Sequence, residues 1–188
     1  MKNFYLVILS CTFLISNAYS AVGPHVGLGL PYVSQAGLNL TMGPNWTANV
    51  QYNLLDLSIG DAKTELNMME VGVQWHPFSG AFFVGLGVGQ QNLEVSATDA
   101  LSDVTVSAEV SSTTTIAKLG WMWGKADDGL WFGMDIAFIS PSSSDVDIET
   151  SGAISTTSDT FKDVEEAGET FGETSYANIT FARLGYLF

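Results

Sequence analysis

Beyond residue 20 the chain alternates between apolar and polar positions with a period of two. From Trp46 to Leu54 the even positions Ala48, Val50, Tyr52 and Leu54 are apolar, and Thr47, Asn49, Gln51 and Asn53 between them are polar. This is the signature of a strand with two unlike faces. The same alternation sets Val71, Val73 and Trp75 against Glu70, Gly72 and Gln74. It sets Phe82, Val84, Leu86 and Val88 against Gly85, Gly87 and Gly89, and Phe132, Met134, Ile136 and Phe138 against Gly133, Asp135 and Ala137. Followed along the chain, the pattern predicts eight strands, at Pro24–Leu30, Ala36–Met42, Trp46–Ile59, Glu65–His76, Ala81–Ala97, Val104–Trp123, Leu130–Ser140 and Tyr176–Phe188.

The connections divide into two kinds. Gly43-Pro44-Asn45, Pro77-Phe78-Ser79-Gly80 and Lys125-Ala126-Asp127-Asp128-Gly129 carry compact turn chemistry. They alternate with more variable and mostly more acidic connections, which predicts short turns at one end and longer loops at the other. The longest connection, Pro141–Ser175, holds a Ser-rich stretch and then Thr160–Phe171, where Phe161, Val164 and Phe171 with Thr160 and Asp163 predict a short capped amphipathic helix.

Residues 1–20 read differently. Lys2, an apolar run from Phe4 to Ser16 and Ala18-Tyr19-Ser20 before Ala21 match a secretory signal peptide, leaving 21–188 as one domain. The apolar run is too short for the roughly 20 residues of a spanning helix. Cys11, the chain's one cysteine, falls in this segment, so residues 21–188 have no thiol for a disulfide. No apolar run after Ser20 outlasts Ala81–Gly89, which excludes a membrane-spanning helix there.

Two environments reward two-faced strands: a protein core on one side, or lipid on one side. A soluble sandwich carries charges on its outer face. Here only 14% of residues are charged, and the less apolar face is mostly Gly, Asn, Gln and Thr opposite bulky aliphatic and aromatic side chains. That fits lipid outside and a small polar lumen inside. Trp46, Trp75, Trp121, Trp123 and Trp131 all fall within four residues of a short turn, which predicts an aromatic girdle at one membrane interface. The net charge of −14 leaves too few cations to track a phosphate backbone, so nucleic acid is excluded as a partner.

The last strand ends in Phe188, with Tyr186, Leu184 and Ala182 on the same face. This looks like the C-terminal assembly signal of bacterial outer-membrane barrels. The chain from Ala21 onward resembles the small eight-stranded barrels of the OmpA, OmpX and OmpW type. The resemblance implies an all-β fold, an eight-stranded antiparallel up-and-down transmembrane barrel. It also implies insertion by the outer-membrane assembly machinery, contact with outer-membrane lipid and lipopolysaccharide, periplasmic termini and turns, and extracellular loops. No peptidoglycan-binding domain follows the last strand in this sequence, which separates it from full-length OmpA-like proteins. The function expected is structural or surface-interacting in a monomeric barrel with a closed polar lumen. A small solute channel and a soluble secreted β-domain are the alternatives.

Candidate chemistry is sparse. Some barrels of this size are lipid A acyl-chain enzymes, which need a histidine base beside a nucleophile. His25 and His76 both fall at predicted strand ends on the turn side, and nothing in the sequence fixes Ser34 or Ser79 as a nucleophile within their reach. No catalysis, cofactor or resident metal is expected. The sequons at Asn39, Asn45 and Asn178 are chance matches, since two lie within strands. Asp145, Asp147 and Glu149, then Asp159, Asp163, Glu165, Glu166 and Glu169, make the outer connections acidic. A solvated face explains them, with divalent cations as possible partners. The alternation points Glu70, Lys118, Asp135 and Arg183 inward at similar distances from the turn end. An eight-stranded lumen is only wide enough for side chains to fill it, so these four are expected to form an ionic plug. In that plug Arg183 pairs with Asp135, and Lys118 is shared between Asp135 and Glu70.

Overall fold

A computed structural model describes residues 20–59, 62–99, 104–125, 128–150 and 174–188. Eight strands close into one antiparallel barrel in chain order, with β1 paired to both β2 and β8. They are β1 (Ser20–Leu30), β2 (Ser34–Met42), β3 (Trp46–Ile59), β4 (Ala62–Trp75), β5 (Phe82–Asp99), β6 (Val104–Trp123), β7 (Gly129–Thr150) and β8 (Tyr176–Leu187). The alternation explains the closure. Each strand has an apolar face that turns outward, and a sheet with such a face has no free edge once its first and last strands pair. Val71, Val84, Leu119, Phe132 and Leu184 all project from the outer wall.

Three features differ from the sequence reading. First, β7 does not stop at Ser140. It continues through Pro141 to Thr150, because a bulge absorbs the proline: Thr114 faces Pro141, Thr113 faces Ser143, and the Ser142 hydroxyl donates to the Thr113 carbonyl at 3.0 Å. Asp145, Asp147 and Glu149 therefore belong to a strand and not to a loop. Second, two of the connections opposite the turns are as short as the turns themselves. Only residues 31–33 join β1 to β2, and 60–61 join β3 to β4. The tall strands β5, β6 and β7, of 18, 20 and 22 residues, stand above the short β1 and β2, of 11 and 9. Third, β1 starts at Ser20, so His25 lies well inside a strand and not at its end. The signal segment up to Tyr19, the helix expected at Thr160–Phe171, and the acidic residues from Asp159 to Glu169 lie outside the described residues.

The turn end is built tightly. Left-handed backbone occurs at Gly43, Ser79, Gly124 and Gly129, all in the three short turns. Asn45 of the first turn donates to the His76 carbonyl at 2.7 Å and to the Ser79 hydroxyl at 3.0 Å, and Lys125 of the third turn donates to the Pro44 carbonyl. The first turn is thus tied to both of the others below the barrel.

Candidate functional site: the barrel lumen

Below a small apolar group at the tall strands, Val106 and Ala108, the inward residues form three layers. Nearest the turns, Phe83, Met122, Trp131 and Leu187 make a small apolar cluster. Towards the other end lies a larger one that includes Tyr32, Leu66, Met68, Leu93, Ile116 and Ile139. Between them is a polar layer containing Gln35, Asn49, Gln51, Glu70, Lys118, Asp135, Thr180 and Arg183, all buried.

Two ion pairs organise the polar layer. Arg183 Nη2 lies 2.9 Å from Asp135 Oδ2, and Lys118 Nζ meets Glu70 Oε1. The four residues are only 1–4% exposed. Neutral groups add hydrogen bonds to one member of each pair: Gln51 Nε2 donates to Glu70 Oε2 at 3.1 Å, Asn49 Nδ2 to Glu70 Oε1 at 3.3 Å, and Arg183 Nη2 to Gln35 Oε1 at 3.3 Å. Gln35 in turn bonds Thr180 at 3.0 Å. Buried charges survive best when they are both paired and hydrogen-bonded; Glu70 and Arg183 are both, whereas Lys118 and Asp135 are held by their ion pairs without a further hydrogen bond among the described residues.

The pairing differs from the expected one in one respect. Among the described residues Lys118 pairs with Glu70 and is not shared with Asp135. Glu70 lies two strands away, across β5, and β5 presents Gly85, Gly87 and Gly89 to the lumen between them. A Cβ added at Gly85 would come within 3.3 Å of the Lys118 Cβ, and one at Gly89 within 2.8 Å of Thr114 Oγ1. The glycine row is the space through which the lysine crosses, and the arginine already occupies Asp135.

The tryptophans also divide. Trp46, Trp75, Trp121 and Trp123 project outward with 43–47% exposure, whereas Trp131 is 2% exposed and faces the lumen. Trp131 is therefore not part of an outer girdle. On β7 the outward positions are even, so an odd-numbered residue turns inward. Gly185 on β8 provides its space, since a Cβ there would lie 2.4 Å from the indole. Its ring contacts His25 at 5.7 Å between centroids. Leu184, Tyr186 and Phe188 line one outward face of β8, with Tyr186 and Phe188 rings 4.8 Å apart.

No family model matches the chain, and no curated protein does. Its fold is known from a solved structure. CarO of Acinetobacter baumannii matches with a TM-score of 0.53 at 11% identity, covering 92% of this chain and 100% of that one. CarO2 of the same organism matches at 0.49 and 12% identity, over 89% and 98%. At such identity the likeness to CarO is one of fold, an eight-stranded barrel like those of small outer-membrane proteins, and carries no residue roles across.

The histidines have structural surroundings. His76, in the β4–β5 turn, lies with Nδ1 3.1 Å from the Gly80 carbonyl and Nε2 3.4 Å from Thr47 Oγ1. Burial, and then the Lys125 charge, push His76 down to about 4, so it is neutral near pH 7. Lys125 is itself lowered by burial. Asn39 and Asn178 are buried on the inward face, where a glycan has no room. Among the described residues no group of three or more His, Cys, Asp or Glu is placed to hold a metal ion.

The sequence reading missed the two apolar layers. Phe83, Met122 and Leu187, and above them Leu66, Met68 and Ile116, interrupt the polar face at both ends. Strand parity alone would have found them, because each has the parity of a neighbouring lumen residue. A third feature was beyond sequence reach: Tyr32, from the β1–β2 connection, donates to Gln91 Oε1 at 3.1 Å and bonds the Tyr176 hydroxyl. Residues so far apart in the chain meet only because the barrel closes.

Proposed function

We propose that this protein is an integral β-barrel of the bacterial outer membrane, with a closed lumen and a structural or surface-interacting role rather than a catalytic one. The observation that carries the reading is the contrast between its faces. The outer wall is apolar on every strand and carries four outward tryptophans, and the charges of Glu70, Lys118, Asp135 and Arg183 are inside and paired. Water on both sides would leave that wall an exposed apolar surface far larger than soluble monomers present.

In this reading the turns and both ends of the barrel chain face the periplasm, the tall strands β5–β7 project from the cell, and Leu184, Tyr186 and Phe188 serve the assembly machinery. Lipopolysaccharide surrounds the outer half, and the protein acts as a monomer. Two apolar layers with an ion-paired layer between them leave no wide aqueous path, which supports a plug over a channel.

Fractionation with heat-dependent gel mobility tests the barrel, which is expected in the outer-membrane fraction with a mobility shift on heating. Recovery in the soluble periplasm without a shift would sink it. Planar-bilayer recording tests the plug: little or no steady conductance is expected, and a large steady one would replace the plug with a solute channel.

A further inference from the structure

The barrel wall is closed only as high as its lowest hairpin. β2 begins at Ser34, opposite Leu54, but β3 runs on to Ile59, paired above Leu54 only with β4 among the described residues. Above that level β3 is, among the described residues, the edge of an open sheet.

Ladder geometry tells which groups are free. In an antiparallel pair, alternate residues turn both backbone polar groups to the same side. The His76 N–H donates to the Asn45 carbonyl at 2.7 Å, and the β3–β4 register continues from the next pair without a shift. Odd-numbered β3 residues therefore bond β4, and Asp56 and Ser58 turn their N–H and C=O groups away from it. Asp56, Leu57 and Ser58 are all exposed, Leu57 at 47%.

Free sheet edges are normally blunted by proline, a bulge or lysine. The upper part of β7 has Pro141 and the bulge beside it. The β3 edge has neither. The outward face behind that edge is acidic in register: Asp56 faces Glu65, Glu65 faces Glu94, Glu94 faces Glu109, and Glu109 faces Asp147. Lys63, bonded to Glu65, is the cation that the described residues set against this row. Like charges directly opposite one another are unfavourable, so the row favours a cationic neighbour beyond Asp56.

We infer that the upper edge of β3 is a docking site for an extended basic segment of a partner polypeptide, added as a further strand beside Asp56–Ser58 with Lys or Arg opposite Asp56. Strand addition supplies main-chain hydrogen bonds, and the acidic row supplies charge selectivity. A second copy of this chain fits less well, since the same edge would bring one acidic row against another. The inference rests on the surface-interaction reading above, because the edge stands at the end opposite the turns.

The test uses the full barrel refolded in phosphatidylcholine vesicles, with heat-dependent mobility checked first for every variant. Anisotropy of two labelled synthetic peptides, one alternating Val with Lys and one alternating Val with Glu, then reads binding. Saturable binding of the Lys peptide alone is expected. Ser58→Pro removes an N–H that faces away from β4, leaves the β3–β4 ladder intact, and is expected to weaken binding about tenfold or more. Asp56→Lys is expected to reduce the preference for the Lys peptide. Wild-type affinity in Ser58→Pro, an unchanged preference in Asp56→Lys, or no saturable binding to a heat-shifting barrel would each overturn the docking site and leave the barrel reading standing. Absence of the heat shift in the wild type would overturn the barrel reading itself.

Discussion

At the scale of single residues, the lumen shows that position inside the barrel decides what a charge costs. Glu70, Lys118, Asp135 and Arg183 are buried and paired, so removing one partner strands the other. Asp135→Asn leaves Arg183 beside a neutral amide and is expected to cost about 3–5 kcal/mol, as is Glu70→Gln beside Lys118. The double variant Glu70→Gln with Lys118→Met should cost less than the two single changes combined, because neither charge is then stranded. Urea unfolding in vesicles, followed by gel mobility, measures both. Losses below about 1 kcal/mol, the range of solvated pairs, would mean that lumen water screens the cluster.

At the scale of strands and turns, two elements lend themselves to direct tests. His76 organises the β4–β5 turn in its neutral form, with its value held near 4 instead of the ordinary 6.5. A group held below its unfolded value stabilises the fold above the unfolded value, and that contribution disappears as pH falls through the folded one. The stability difference between wild type and His76→Gln should therefore shrink from pH 6.5 to pH 4. Melting curves across that window check it, and a constant difference would reject the role. The second element is β8. Phe188 is exposed, and its N–H donates to the Val22 carbonyl at 3.1 Å, a backbone bond that Phe188→Ser keeps. That substitution is expected to lower outer-membrane levels in cells while leaving refolding in vitro nearly unchanged. Equal levels in cells would dissociate the residue from assembly.

At the scale of the whole molecule, strand length sets the shape. About 9–11 residues cross a bilayer, and β5, β6 and β7 have 18, 20 and 22. The surplus is acidic on its outward face and belongs in water. Because Cys11 is the one cysteine in the sequence, single cysteines at Ser96 or Glu109 can be probed on intact cells with a membrane-impermeant maleimide. Labelling is expected there and not at Ser79 in the turn. The reverse pattern would invert the orientation.

Period-two patterning was enough to set the number of strands, the outward face of each up to the bulges in β7 and β8, and the inward direction of the four charges, because side-chain direction in a strand is a local property. The Arg183–Asp135 pair was legible for the same reason, since its two strands are neighbours. Trp131 leaves the girdle because alternation along β7, and not nearness to a turn, sets which way a strand side chain points. Pro141 stood for a strand end because a bulge depends on the partner strand, whose register Pro141 itself does not encode. Closure alone decided the rest. The lysine reaches Glu70 across a row of glycines, and Tyr32 meets Tyr176. Each depends on which distant strands become neighbours and how far they are staggered, and that is a property of the closed sheet, not of any one segment.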